Sequence, residues 1–268
     1  MQRLLTGLGL TSGLLIALFY GPPWLWALLI CAMAALGALE LGHMLRGTSP
    51  GSPTVLLPPL ALATIATILY GDRLLADQDA LLLGAVVVVL PSMFALVQGR
   101  SERVWPAVPW LCFGAMYLAV PSASLIRLRA EAGPWVVFLL IGIIGLGDTA
   151  AYYFGKRFGN TKLAPHLSPK KTWVGSAAGV MAAAVFAGVW CVWRLGSLDP
   201  WLLGLAGLTQ MAGQFGDLLE SAMKRTSGIK DSGTILPGHG GVLDRSDALL
   251  LAAPVFVVGY LLLGADWS

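Results

Sequence analysis

The chain has 268 residues, 57% of them hydrophobic and only 12% charged, with a formal net charge of +3. Its mean hydropathy is +0.77. A soluble domain is nearer about 45–50% apolar and about 25% charged, so a soluble enzyme, a disordered chain and a disulfide scaffold are all disfavoured. Cys31, Cys112 and Cys191 stand far apart in apolar runs, without metal-ligand or redox spacing, and read as small packing residues.

Nine apolar runs follow one another, at 4–20, 24–45, 54–70, 81–98, 105–126, 135–154, 173–195, 201–223 and 248–264. Each approaches the ~20 residues with which a helix crosses a bilayer. Breakers part them, among them Gly21-Pro22-Pro23 and Gly71-Asp72-Arg73. The runs are continuous rather than alternating, which argues against barrel strands. Arg3 precedes the first run, no small-residue cleavage site follows it, and a second run begins at once, so it reads as a retained helix.

The predicted fold class is an all-α integral membrane protein with about nine transmembrane helices. Residues 1–130 form an N-terminal scaffold, and 131–268 carry the chemistry and two basic loops. Of the 17 lysines and arginines, all but Arg73, Arg127, Arg129 and Arg194 fall on the side that holds the N-terminus. The positive-inside rule makes that side cytoplasmic and puts the C-terminus opposite. No inverted internal repeat is visible.

Glu40, Asp148, Asp217 and Glu220 fall within or at the edges of apolar runs. A charge at mid-membrane costs roughly 2.5–3.5 kcal/mol on insertion scales, so each is a functional candidate; for Glu40, beside His43, a helix–helix hydrogen bond is an equal alternative. Gln210, Gln214, Asp217, Ser221 and Lys224 share one helical face. A polar stripe on an apolar helix points into the bundle or a wet cavity. Glu220 stands three residues from Asp217, close enough for the two carboxylates to converge. Gly145, Asp148 and Tyr152 repeat the pattern on the sixth run.

Two basic loops follow these stripes. The first holds Lys156, Arg157, Lys162, Ser168, Lys170 and Lys171. The second runs from Lys224 and Arg225 through Lys230, Asp231, His239, Gly240 and Gly241 to Asp244, Arg245 and Asp247. Lysine and arginine bring charge to phosphates, and consecutive glycines let backbone N–H groups approach an anion. Asp244 and Asp247 stand just before the predicted last helix; Asp247 reads equally as its N-cap. Carboxylates beside cations are what a metal–triphosphate site needs.

These residues carry a family resemblance. Ser221-Ala222-Met223-Lys224-Arg225, Lys230-Asp231, His239-Gly240-Gly241, Asp244-Arg245 and Asp247 resemble the signature of phosphatidate cytidylyltransferases, or CDP-diacylglycerol synthases. Gly147-Asp148-Thr149-Ala150-Ala151-Tyr152 and Ser168-Pro169-Lys170-Lys171-Thr172 are similar to further family motifs. The resemblance covers about residues 140–250. One departure stands out: the family usually has Glu-Gly after Lys-Lys-Thr-x, and this chain has Val174-Gly175.

The resemblance implies a Mg²⁺-dependent reaction, with room for a second cation, of CTP with phosphatidic acid to give CDP-diacylglycerol and pyrophosphate. It implies Asp217 and Asp244 as metal ligands. Asp148, Glu220 and Asp247 stand behind them as further ligands or orienters. Lys224, Arg225, Lys230 and Arg245 are assigned to the phosphates. Ser168, Lys170, Lys171, Ser221, Asp231, His239, Gly240 and Gly241 are assigned to substrate binding. The expected setting is the inner membrane, multi-pass, with the site facing the cytoplasm, membrane lipids as surroundings and no nucleic acid as partner. Gly155/Gly159 and Gly175/Gly179 have the spacing of close helix packing, so a homodimer is one arrangement they permit. Two other readings remain: a cytidylyltransferase for another lipid phosphate, and a polytopic transporter.

Overall fold

The computed structural model describes residues 2–48, 54–74, 108–233, 240–264 and 267. Helix α1 is Gln2–Tyr20, and Gly21-Pro22 parts it from α2, Pro23–Thr48. A 3₁₀ turn at Thr54–Leu56 leads into α3, Leu57–Leu74. Then come α4, Val108–Glu131, and α5, Gly133–Phe158, parted by a glycine at φ +80° and a proline in the first turn of α5. A two-stranded antiparallel hairpin follows, β1 Lys162–Ala164 and β2 Ser168–Thr172. Helices α6, Trp173–Leu195, α7, Pro200–Thr226, and α8, Leu243–Leu263, complete the described chain.

Every predicted apolar run that lies in the described residues coincides with one of these helices. The run at 81–98 lies outside them. Among the described residues, five helices, α2, α4, α5, α6 and α8, are long and apolar enough to cross a membrane. Helix α7 is longer than any of the five, about 40 Å at 1.5 Å per residue, but its polar stripe dilutes its apolar character. The hairpin is a small departure from an all-helical chain, in a stretch expected to be a loop. The last helix starts at Leu243, earlier than the apolar run at 248, so Asp244 and Asp247 lie in its first two turns rather than before it.

The described chain divides into two units. The first comprises residues 1–127 and 223–245. Leu18, Trp26, Leu41, Met44, Leu57, Leu111 and Leu118 are fully buried there. The indole N–H of Trp26 donates to the Leu125 carbonyl at 3.1 Å, tying α2 to α4. The Arg46 guanidinium donates to the Thr54 hydroxyl at 2.7 Å, joining the end of α2 to the 3₁₀ turn before α3.

The second unit comprises residues 128–222 and 246–268. Helices α5 and α6 pack along each other through small residues. A Cβ on Gly175 would meet the Ala151 carbonyl oxygen and the Gly155 backbone, and one on Gly179 would meet the Gly147 carbonyl. A Cβ on Gly159 would run into the Thr172 side chain. The small-residue pairs that permitted a homodimer are thus spent on packing inside the chain and lend it no support. On α6, Gly179, Ala183, Ala187 and Cys191 are buried, whereas Met181, Val185, Val189 and Val192 are more than half exposed. An outward apolar stripe beside an inward small-residue stripe suits a helix in lipid. This is a multi-pass membrane protein.

Candidate functional site

In the second unit the end of α5, the β1–β2 hairpin, the start of α6 and the middle of α7 enclose a cavity of about 680 Å³. That size is typical of small-molecule pockets. Local chemistry fixes the frame. The Thr172 hydroxyl accepts the Gly175 N–H at 3.1 Å and caps α6. The Trp173 N–H donates to the Thr161 carbonyl at 3.1 Å, holding the hairpin against the helix start.

The lining is strongly polar for a membrane helix bundle. Lys156, Lys162, Lys170 and Lys171 reach the cavity, against two carboxylates, Asp148 and Asp217. Cations outnumber anions, so the field favours an anionic guest. Lys171 Nζ lies 2.7 Å from Asp217 Oδ2, and it also donates to the Gln214 carbonyl at 3.2 Å. Their side chains are 23% and 39% exposed, so the pair is partly open to the cavity. Lys156 also stands 5.9 Å from the Tyr152 ring centroid.

Behind this front the α7 stripe forms a hydrogen-bonded seam. Gln210 Nε2 donates to Asp148 Oδ1 at 2.9 Å. Gln214 Nε2 donates to the Ser176 carbonyl at 3.1 Å, and the Ser176 hydroxyl donates back to Gln214 Oε1. The Ser221 hydroxyl donates weakly to Asp217 Oδ1 at 3.4 Å. Gly147 and Gly179 make room for the two glutamines, because a Cβ at either position would meet them.

The first unit holds a second lysine–aspartate pair, at the start of α8. Lys224 Nζ lies 2.6 Å from Asp244 Oδ1, with side chains 13% and 10% exposed. Asp244 Oδ2 accepts from the Ser232 N–H, the Ser232 hydroxyl and the Gly241 N–H, each at 2.9 Å. Glu40, only 3% exposed, accepts the N–H groups of Val242 and Leu243 at 2.9 Å through one oxygen each. The same Ser232 hydroxyl reaches Glu40 Oε2 at 3.2 Å. Gly240 takes φ +81°, a left-handed conformation that favours glycine.

The remaining sequence candidates fall as follows. Ser168 and Lys170 line the cavity from β2. Lys230, Asp231 and Arg245 are exposed, and Arg225 donates to the Ile229 carbonyl at 3.4 Å. Glu220 is fully buried and does not line the cavity that Asp217 faces, so the expected convergence of the two is not seen there. Asp247 accepts the Ala248 N–H at 2.7 Å. His239 lies outside the described residues. Val174 is 41% exposed and does not line the cavity, so the missing glutamate takes no group from it. Sequence reasoning did not assign Lys156, Lys162 or Ser176 to the site; the clustering of both lysines with Lys170 and Lys171 in one loop was the available signal.

The donor set suits a hard divalent cation. Asp148 and Asp217 present carboxylate oxygens to one cavity. No group of three or more His, Cys, Asp or Glu side chains capable of holding a metal stands together among the described residues. Magnesium binds in that way, with one or two carboxylates, retained water and substrate phosphates, rather than in an all-protein cage.

A helical membrane protein whose cavity sets four lysines around two carboxylates is built to handle phosphates at the bilayer. The model of the cytidylyltransferase family matches residues 1–263, and the chain belongs to that family. It is similar to the phosphatidate cytidylyltransferase of Pseudomonas aeruginosa, 36% identical over all of this chain and 98% of that one. The Haemophilus influenzae enzyme of the same name is 32% identical over 97% of this chain and 98% of its own. That of Brucella suis is 40% identical over 189 residues, 69% of this chain and 68% of its own. The protein is a nucleotidyltransferase.

Proposed function

We propose that this protein transfers the cytidylyl group of CTP to phosphatidic acid, giving CDP-diacylglycerol and pyrophosphate. The observation that carries the reading is the lysine-rich cavity with Asp148 and Asp217 on its wall, in a chain similar along its whole length to proteins named phosphatidate cytidylyltransferase.

The reaction needs no protein nucleophile. A phosphatidate oxygen, already anionic, attacks the α-phosphorus of CTP. A new P–O bond forms, the bond to the bridging oxygen breaks, and pyrophosphate leaves with the electron pair. The protein must hold two anions together and stabilise the charge on the leaving group, which is positioning and electrostatics. Lys156, Lys162 and Lys170 draw the phosphates into the cavity. Lys171 leaves Asp217 to meet a phosphate oxygen, which exposes the Asp217 carboxylate at the moment the phosphates arrive. Asp217 and Asp148 would hold Mg²⁺, and Gln210 fixes the Asp148 carboxylate. A bound cation would supply positive charge to offset that of the phosphates. We assign Asp244 to the reaction as well, through Oδ1, the oxygen paired with Lys224, while its other oxygen is held by three donors. Lys224, Arg225, Lys230 and Arg245 contribute to phosphate binding.

The setting we propose is an inner membrane crossed about nine times, with the N-terminus and the site on the cytoplasmic side. The distribution of lysine and arginine along the sequence supports that orientation. The test is conversion of labelled CTP into organic-soluble lipid by purified protein in mixed micelles. Phosphatidate is set against other lipid phosphates. Label passing to phosphatidate ahead of the competitors is expected; label passing only to another lipid phosphate would move the acceptor, and nucleotide-independent solute flux in vesicles would favour a transporter.

A further inference from the structure

Glu40 lies in the middle of α2, almost wholly buried, and about 200 residues before the groups it binds. A lone carboxylate in an apolar helix is costly, and here its hydrogen bonds among the described residues go to Ser232, Val242 and Leu243. Oε1 takes the Val242 N–H and Oε2 takes the Leu243 N–H, both at 2.9 Å. These are among the N–H groups that the start of α8 leaves without a partner inside the helix, and the negative charge sits at the positive end of the helix dipole. The neighbouring glycines leave space for it: a Cβ on Gly233 or Gly241 would strike the Glu40 carboxylate.

The contact with Ser232 links this cap to Asp244. The Ser232 hydroxyl lies 3.2 Å from Glu40 Oε2 and 2.9 Å from Asp244 Oδ2. It has one hydrogen to give, so the two carboxylates compete for one donor. Gly241 donates its N–H to Asp244 one residue before the N–H groups that Glu40 holds. Glu40 therefore fixes the backbone that carries Asp244 from one side and the hydroxyl that fixes its Oδ2 from the other. Among the described residues, Oδ1 is paired with Lys224.

We propose that Glu40 is the positioning residue for Asp244: it sets the orientation of that carboxylate through Ser232 and the first turn of α8, without touching substrate. The proposal rests on the assignment of Asp244 to the reaction. Glutamine in place of Glu40 keeps the volume but offers one accepting oxygen where three donors converge, and turns an amide N–H₂ toward a backbone N–H. Aspartate keeps both oxygens on a shorter stem.

The experiment compares E40Q, E40D, S232A, the E40Q/S232A double variant and D244N as full-length protein in phosphatidate micelles. Initial rates over a CTP series are normalised to folded protein, and thermal melting is followed in parallel. E40Q is expected to lower kcat about tenfold or more with the KM for CTP within about twofold. E40D is expected to recover part of kcat. S232A is expected to lower kcat severalfold, and the double variant to lose no more than E40Q alone, because both act on the same carboxylate. The proposal is overturned if E40Q lowers the melting temperature but leaves kcat per folded molecule unchanged, which is the mark of a cap alone. It is also overturned if the losses of E40Q and S232A multiply. If E40Q does not fold, S232A decides: a wild-type kcat in S232A overturns the link. D244N separates the two readings. Loss of turnover in D244N with normal kcat in E40Q defeats only the role of Glu40, whereas wild-type turnover in D244N defeats the assignment of Asp244 and with it this proposal.

Discussion

Lys171 and Asp217 face each other at 2.7 Å across the cavity wall, one from the last residues of the hairpin and the other from the polar stripe of α7. The pair is partly open to water, so it is worth little as a stabilising salt bridge, about 0–1 kcal/mol. In the proposed reaction its value would lie in exchange: an arriving phosphate would take the lysine and release the carboxylate. D217N is therefore expected to remove turnover, by about a hundredfold or more, while the purified protein melts within a few degrees of the parent. Normal turnover in D217N would remove Asp217 from the reaction.

The lysines that sequence reasoning left unassigned bear on nucleotide affinity. Lys156 and Lys162 line the cavity without an ion pair to either carboxylate. The double variant K156Q/K162Q is expected to raise the KM for CTP about three- to tenfold with a smaller change in kcat. The gap from the parent should shrink as salt rises, because screening weakens the contribution of the parent lysines. Steady-state kinetics at low and high ionic strength read this directly.

Position 174 should be tolerant. Val174, in the first turn of α6, is 41% exposed and is not part of the cavity lining, so V174E is expected to leave kcat and KM within about twofold of the parent. A large gain in rate would mean that this position does reach the reacting groups.

The junction of α5 and α6 is the opposite case. Gly175 has the Ala151 carbonyl oxygen and the Gly155 Cα where its own Cβ would stand, and both obstacles are backbone. G175A is expected to cost about 1–3 kcal/mol through forced separation of the helices. It would show as a lower melting temperature in detergent, together with reduced activity, since Thr172 and the cavity wall move with the junction.

Much of this was legible in the sequence, and the boundary of legibility has a physical cause. The apolar runs and their breakers gave helices wherever the described residues test them, because a continuous apolar stretch has few other solutions in a bilayer. The stripe Gln210, Gln214, Asp217 and Ser221 does face polar partners, as helical periodicity requires. What was not legible depends on distant partners. Glu40 showed only its cost in sequence, and its partners lie beyond residue 230. The start of α8 was placed too late for the same reason: Asp244 and the polar residues around it look like loop until Glu40 caps the N–H groups of Val242 and Leu243. The hairpin at 162–172 is short and basic, without an apolar alternation to reveal it.

The most direct test of the account is pyrophosphate release by the purified full-length protein in micelles holding phosphatidate, with CTP and Mg²⁺. Each component is omitted in turn, and ATP replaces CTP in one arm. The account expects release only when all three are present, with CDP-diacylglycerol formed mole for mole and little release with ATP. Release that proceeds without phosphatidate, or a folded sample that consumes no CTP with any lipid phosphate, would contradict it.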